Sequence, residues 1–223
     1  MKIIFLGDSI TQGIGVENPQ DSYVELVRRA LSCQVLNAGM GSTRIARSRT
    51  AWTEPHWHTL DFNARAQVLP PDCDFCIVFG GTNDYGDGDI PVGEETDSGY
   101  NTFAGALNHL TDSLIARYGK ERLLFLVPCR RYREEAHPAT YSDVTVESFS
   151  CFVNMMITVF RKKQIPYLDL YHDSAMPQPL TTNNQGCFRD GLHPNEQGHR
   201  HIAERILTYL HTIRPELPYR IES

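Results

Sequence analysis

Met1-Lys2-Ile3-Ile4-Phe5-Leu6-Gly7-Asp8-Ser9-Ile10-Thr11-Gln12-Gly13 opens the chain, and the rest of the sequence is organised around it. An apolar run with β-branched residues that ends in glycine predicts a buried strand breaking into a loop. Ser9 then lies just past the carboxyl end of the first strand. In open parallel α/β sheets, ligands bind outside that end of the strands. A serine there is a candidate nucleophile if a histidine from elsewhere takes its proton. The competing reading is a serine that caps a helix or closes a turn.

Downstream, helical and strand patterns alternate. Asp21-Ser22 starts a helix with Tyr23, Leu26, Val27, Ala30 and Leu31 on one face. A short strand over 34–37 leads to Ala38-Gly39-Met40-Gly41-Ser42-Thr43-Arg44, a glycine-rich turn that exposes backbone N–H groups and can open a helix. A further helix is expected over 60–68. The third strand, 74–79, runs into Gly80-Gly81-Thr82-Asn83-Asp84, where Asn83 is either a turn residue or an amide donor aimed into a cleft. Phe103, Leu107, Leu110 and Leu114 mark a helix ending near Gly119, and Leu123 to Pro128 is the fourth strand. Phe149, Phe152, Val153, Met156 and Phe160 form a core-facing helical stripe, and 165–170 is the fifth strand. The last helix opens at Asp190-Gly191-Leu192-His193-Pro194-Asn195 and carries Ile202, Ile206 and Leu210. Such alternation predicts a parallel sheet with helices on both faces.

At 223 residues the chain reads as one domain, 1–223, without repeats, low-complexity segments or an interdomain linker. It is long enough to bury a core without disulfides or metal. Its net charge of −6 lacks the basic excess of a nucleic-acid or anionic-membrane surface. No apolar stretch approaches the ~18 residues of a membrane span, and the first residues read as a strand, not a leader. A cytoplasmic protein is expected. The six cysteines, Cys33, Cys73, Cys76, Cys129, Cys151 and Cys187, are scattered. Cys73-x-x-Cys76 has no second pair, and Cys76 opens an apolar run, so core cysteines are expected. His56-x-His58 beside Trp52 and Trp57 is a weak metal pattern. The segment 84–99, with six acidic residues and no basic one, reads as a solvated acidic loop without EF-hand spacing. The loop 129–143, with Arg130, Arg131, Arg133 and His137, is either solvated or in touch with substrate.

A serine after strand one, a glycine turn after strand two, an asparagine after strand three and an Asp-x-x-His pair before the last helix all fall where a parallel sheet gathers its site. The spacing of Asp190 and His193 lets the carboxylate reach one imidazole nitrogen and leave the other for Ser9. At these four places, Gly7-Asp8-Ser9-Ile10, Asn37 to Thr43, Gly81-Thr82-Asn83-Asp84 and Asp190-Gly191-Leu192-His193-Pro194, the chain resembles the SGNH (GDSL-type) hydrolases. The blocks come in the family's order across nearly the whole chain.

The resemblance implies a three-layer α/β/α sandwich, flavodoxin-like, with a five-stranded parallel sheet, and ester hydrolysis through an acyl-enzyme. Ser9 would be the nucleophile, His193 the general base and Asp190 its orienter. The oxyanion hole would use the Ser9 N–H, a second-block N–H and the Asn83 side chain. The family's second-block glycine falls on Ser42, so Ser42, Gly41 and Gly39 all stand as candidate donors. No metal and no cofactor is expected. The substrate expected is a small-molecule or carbohydrate ester with a short acyl group, acetyl above all. A lysophospholipase or thioesterase is the alternative acylhydrolase. Two readings from other classes are a metal-dependent phosphoesterase using Asp8, Asn83, Asp84, Asp190 and His193, and a binding module without turnover. The oligomeric state is not encoded in any motif. The absent G-x-S-x-G elbow argues against an ordinary α/β-hydrolase.

Overall fold

The computed structural model describes residues 1–47, 61–139 and 143–217. Strands β1 (Lys2–Gly7), β2 (Gln34–Gly39), β3 (Phe75–Phe79) and β4 (Leu123–Val127) come first in the chain. A two-residue antiparallel ribbon, β5 (His137–Pro138) with β6 (Thr145–Val146), precedes β7 (Tyr167–Asp169). The main sheet has five strands in the order β2-β1-β3-β4-β7, all pairs parallel. Counting only its own strands, that order is 2-1-3-4-5, the flavodoxin-like doubly wound arrangement. The small β5–β6 ribbon has no counterpart in the sequence reading.

The helices are α1 (Ser9–Gln12), α2 (Tyr23–Leu31), α3 (Phe62–Gln67), α4 (Thr82–Gly86), α5 (Phe103–Tyr118), α6 (Phe149–Lys163) and α7 (Glu196–Ile213). Ser22 caps α2 by accepting the Glu25 N–H, as its place before the apolar pattern predicts. Side chains of a strand alternate between faces, and here both faces are covered. Ile3 and Phe5 of β1, Phe75, Ile77 and Phe79 of β3, and Leu124 and Leu126 of β4 pack with α2 and α7. Ile4 and Leu6, Cys76 and Val78, and Leu123, Phe125 and Val127 pack with α3, α5 and α6. This is why the central strands read as continuous apolar runs and not as alternating ones. Cys73 and Cys76 are core residues of the second layer, as expected of free cysteines.

Register fixes where the loops emerge. Gly7 pairs with Gly39 on one side and with Phe79 on the other, so β1, β2 and β3 end level with one another. Asp8-Ser9, the turn after β2 and Gly80-Gly81 therefore leave the sheet along one edge. The chain's winding reverses between β1 and β3, where open α/β sheets place their ligands.

Two expectations need correction. The glycine-rich segment after β2 forms a turn and, among the described residues up to 47, opens no helix; Thr43 N–H bonds Met40 O at 3.4 Å. The segment 84–99 is not simply a solvated loop. Asp84 lies within α4 and is buried, as is Asp89. Asp84 accepts the backbone N–H groups of Ile45 (3.0 Å) and Ala46 (2.8 Å), and Asp89 pairs with Arg44. These two of its six acids hold the segment after β2 in place. Arg131 of the loop after β4 is likewise tucked in, over the rings of Tyr85 and Phe149. Trp52, His56, Trp57 and His58 lie outside the described residues.

Candidate active site

Ser9 is the first residue of α1, and Asp8 caps that helix by accepting the Ile10 N–H at 3.0 Å. Ser9 is therefore both the loop serine and the helix-start serine of the sequence reading. Its own N–H stands in the first turn of a helix, where no intrahelical acceptor exists, and no partner takes it among the described residues. Its Oγ lies 2.9 Å from His193 Nε2.

Residues 190–193 form a compact turn. Asp190 Oδ1 accepts the N–H groups of Leu192 (3.0 Å) and His193 (2.8 Å), and Oδ2 lies 2.7 Å from His193 Nδ1. Gly191 takes φ +81°, and a Cβ there would come 2.6 Å from Thr181 O, so only glycine fits. Burial works against the Asp190 charge, but the hydrogen bonds from His193 and Leu192 outweigh it and hold the carboxyl below the usual range. An ionised carboxylate only accepts, so Nδ1 carries the proton and Nε2 is left to accept from Ser9. Across the site, Gly15 at φ +112° runs against this turn. A Cβ on it would stand 2.0 Å from Pro194 O and 3.1 Å from His193 Cβ.

The second block supplies a tight turn over 40–43. Ser42 is its third residue and takes φ +57°, a left-handed conformation that glycine adopts most readily. This explains how serine replaces glycine there. Of the three candidate N–H groups, two are already used: Gly39 N–H donates to Asn37 Oδ1 at 2.9 Å, and Gly41 N–H to Gln12 Oε1 at 2.8 Å. The Ser42 N–H has no partner among the described residues. Asn37 also donates to Thr11 O at 2.9 Å, so two amide side chains tie this turn to the helix that carries Ser9.

Asn83 is buried at the start of α4, and its Nδ2 donates to Thr43 O at 3.0 Å. That bond fixes the amide plane and uses one of its two N–H bonds. Sequence reasoning passed over Gln12, Asn37, Thr43 and Arg65, which hold the turn in place. Asn37 and Thr43 fall inside the second block, where the sequence gives them no role of their own, and Gln12 and Arg65 belong to no residue pattern that signals chemistry.

Two buried carboxyls lie beneath the site. Burial pushes Asp8 up to about 7, with Asp84 adding to the rise and the Ile10 N–H and Arg65 opposing it. Burial likewise raises Asp84 to about 6, against the Ala46 and Ile45 N–H groups. These acids face backbone amides. Among the described residues no three His, Cys, Asp or Glu side chains converge as metal ligands. Nor is any helix there long and apolar enough to cross a membrane.

A three-layer α/β/α sheet with its polar grouping at the carboxyl edge is the architecture of the SGNH hydrolases. The sequence matches the model of the GDSL-like lipase/acylhydrolase family over residues 5–201, and the chain belongs to that family. No curated protein matches it. Among solved structures, a protein from Lactobacillus plantarum shares 26% identity at TM-score 0.72, covering 95% of this chain and 96% of that one. The lipase/acylhydrolase from Enterococcus faecalis is similar in fold, with 19% identity, TM-score 0.62 and coverage of 100% and 98%. An acetyl xylan esterase is similar at 20% identity and TM-score 0.60, covering 94% of this chain and all of that one, 100%.

Proposed function

We propose that this family member is a serine esterase that cleaves a carboxylic ester through an acyl-enzyme. The observation that carries the reading is the continuous line from Ser9 Oγ to His193 Nε2 (2.9 Å) and from His193 Nδ1 to Asp190 Oδ2 (2.7 Å). Ser9 Oγ attacks the ester carbonyl while His193 Nε2 takes its proton. The tetrahedral intermediate expels the alcohol, which receives that proton from His193. Water, deprotonated in the same way, then releases the acid. Asp190 keeps the imidazole in the required tautomer and balances its transient charge. The oxyanion is held by the Ser9 N–H, the Ser42 N–H and the second N–H of Asn83.

The acyl group we propose is short, acetyl first. A long acyl chain needs an apolar channel, since each buried CH₂ contributes about 0.8 kcal/mol. The residues after β3 and β4 are instead occupied by paired polar groups. Arg130 grips Glu134, and Arg131 donates to Thr82 O at 2.8 Å and to Thr82 Oγ1 at 3.1 Å. The acetyl xylan esterase of similar fold makes acetylated sugars the first natural substrates to try.

The test has two arms. Ser9→Ala should fold and lose several orders of magnitude in turnover, keeping only what the oxyanion site gives. Undiminished turnover in the folded variant would overturn the mechanism. In the second arm, kcat/KM is compared across acetyl, butyryl and decanoyl p-nitrophenyl esters. A steady climb towards decanoyl would overturn the short-acyl reading and leave the mechanism standing.

A further inference from the structure

The buried guanidinium of Arg65 on α3 bonds the chain at two of the three blocks that supply oxyanion donors and is linked to the third through Thr43. Its Nη1 donates to Gly7 O at 3.0 Å and to Thr43 Oγ1 at 2.8 Å, and its Nη2 donates to Ala38 O. Gly7 O ends β1, two residues before Ser9. Ala38 O belongs to the end of β2, and Thr43 follows Ser42. Thr43 O in turn holds the Asn83 amide. The Ser9 N–H, the Ser42 N–H and the Asn83 amide are therefore each within two residues, or one hydrogen bond, of a residue that Arg65 holds.

All three partners are neutral oxygens. Among the described residues no carboxylate comes within ion-pair distance of Arg65; the buried Asp8 acts on it only through space, and the Phe62 ring centroid lies 5.2 Å from it. The side chain is 8% exposed. Burying a cation without a paired charge is costly, so its place needs a reason. Burial lowers its pKa, with Asp8 opposing, but a guanidinium stays charged in proteins. A planar fork also reaches several fixed acceptors at once, which an ammonium cannot do in that geometry. Charge-assisted bonds of this kind are stronger and more directional than neutral ones.

We propose that Arg65 is the positioning residue of the oxyanion site: from beneath the sheet edge its guanidinium sets the relative placement of the nucleophile loop, the 40–43 turn and, through Thr43, Asn83. This rests on the acyl-transfer reading above. The donors must meet the oxygen where charge develops, not where the neutral carbonyl sits. Loosening their common anchor therefore costs transition-state stabilisation and leaves ester binding nearly untouched.

Three variants of the full chain test it, each with kcat, KM, melting temperature and affinity for a boronic acid that forms a tetrahedral adduct. Thr43→Val removes, at nearly constant volume, the hydroxyl that Arg65 holds and that itself donates to Met40 O at 2.7 Å, and Thr43→Ser restores both bonds. Arg65→Lys keeps the charge and loses the fork. Thr43→Val and Arg65→Lys should each lose about tenfold or more in kcat, with KM within about twofold. Boronate affinity should fall in step. Thr43→Ser should stay near wild type. If Arg65→Lys does not fold, the Thr43 pair decides. Wild-type kcat and boronate affinity in folded Thr43→Val would overturn the proposal, as would a loss confined to melting temperature or KM. Stoichiometric labelling by a p-nitrophenyl phosphonate, present in wild type and absent in Ser9→Ala, checks the underlying mechanism separately. With labelling intact and the variants unaffected, only the role of Arg65 fails; without labelling, the acyl-enzyme reading fails.

Discussion

Replacing Asn83 separates an oxyanion donor from a merely structural amide. The side chain is buried and already gives one N–H to Thr43 O at 3.0 Å. Asn83→Ala removes both N–H bonds at once, so two independent losses are expected. The first is catalytic. Removing one oxyanion donor costs about 10²–10³ in kcat, roughly 2.7–4 kcal/mol, with little change in KM. The second is structural. Thr43 O loses its side-chain donor in a buried setting, which costs about 1–3 kcal/mol of stability. Asn83→Asp sharpens the test. It is nearly isosteric, yet an ionised carboxylate cannot donate and would face both Thr43 O and the developing oxyanion. Its kcat should fall below that of the alanine variant, and its deficit should shrink on acidification as the carboxyl protonates. Initial rates on p-nitrophenyl acetate, with thermal melts at the same pH, give both quantities. An alanine variant with wild-type kcat and a lowered melting temperature would refute the catalytic role. So would an aspartate variant faster than alanine at neutral pH.

Other outcomes follow from the same geometry. Gly15→Ala places a Cβ 2.0 Å from Pro194 O at φ +112°, so it should cost about 1–3 kcal/mol from the backbone alone and lower kcat by displacing His193; thermal melts and initial rates check both parts. Asp8, raised by burial from 3.8 to about 7, destabilises the fold as pH climbs through that window, because the unfolded chain ionises there first. Asp8→Asn keeps the acceptor for Ile10 N–H, so its advantage over wild type in denaturant titrations should be small below pH 4 and reach about 2–4 kcal/mol above pH 7; a constant difference across that range would count against it. His199 is buried, accepts the Tyr23 N–H on Nδ1 at 3.1 Å, and is lowered by desolvation from 6.5 to about 4. Its folded pKa is depressed, so the stability it contributes is lost as pH falls from about 6.5 to about 4; His199→Gln should flatten that part of the acid-denaturation curve.

Much of this protein was legible in the sequence, for a specific physical reason. Strands buried on both faces must be apolar throughout, so 3–6, 75–79 and 123–127 announce themselves, and the glycines after the first two mark the carboxyl edge. Asp190 and His193 sit three residues apart, so their pairing is local and readable. Ser9 follows its strand directly. The rest depends on contacts between segments remote in the chain. Only the tertiary structure shows the Gly39 and Gly41 N–H groups taken by Asn37 and by Gln12 from α1, which is what singles out Ser42 N–H in the proposed oxyanion site. Only folding turns Asp84 and Asp89 of an acidic stretch inward, onto backbone amides and Arg44. And Arg65, one basic residue in a short helix, shows nothing in the sequence of its place under the site. What carries its role is the meeting of two strand ends and the turn between β2 and α3, and a strand end becomes a neighbour of another only when the sheet has formed.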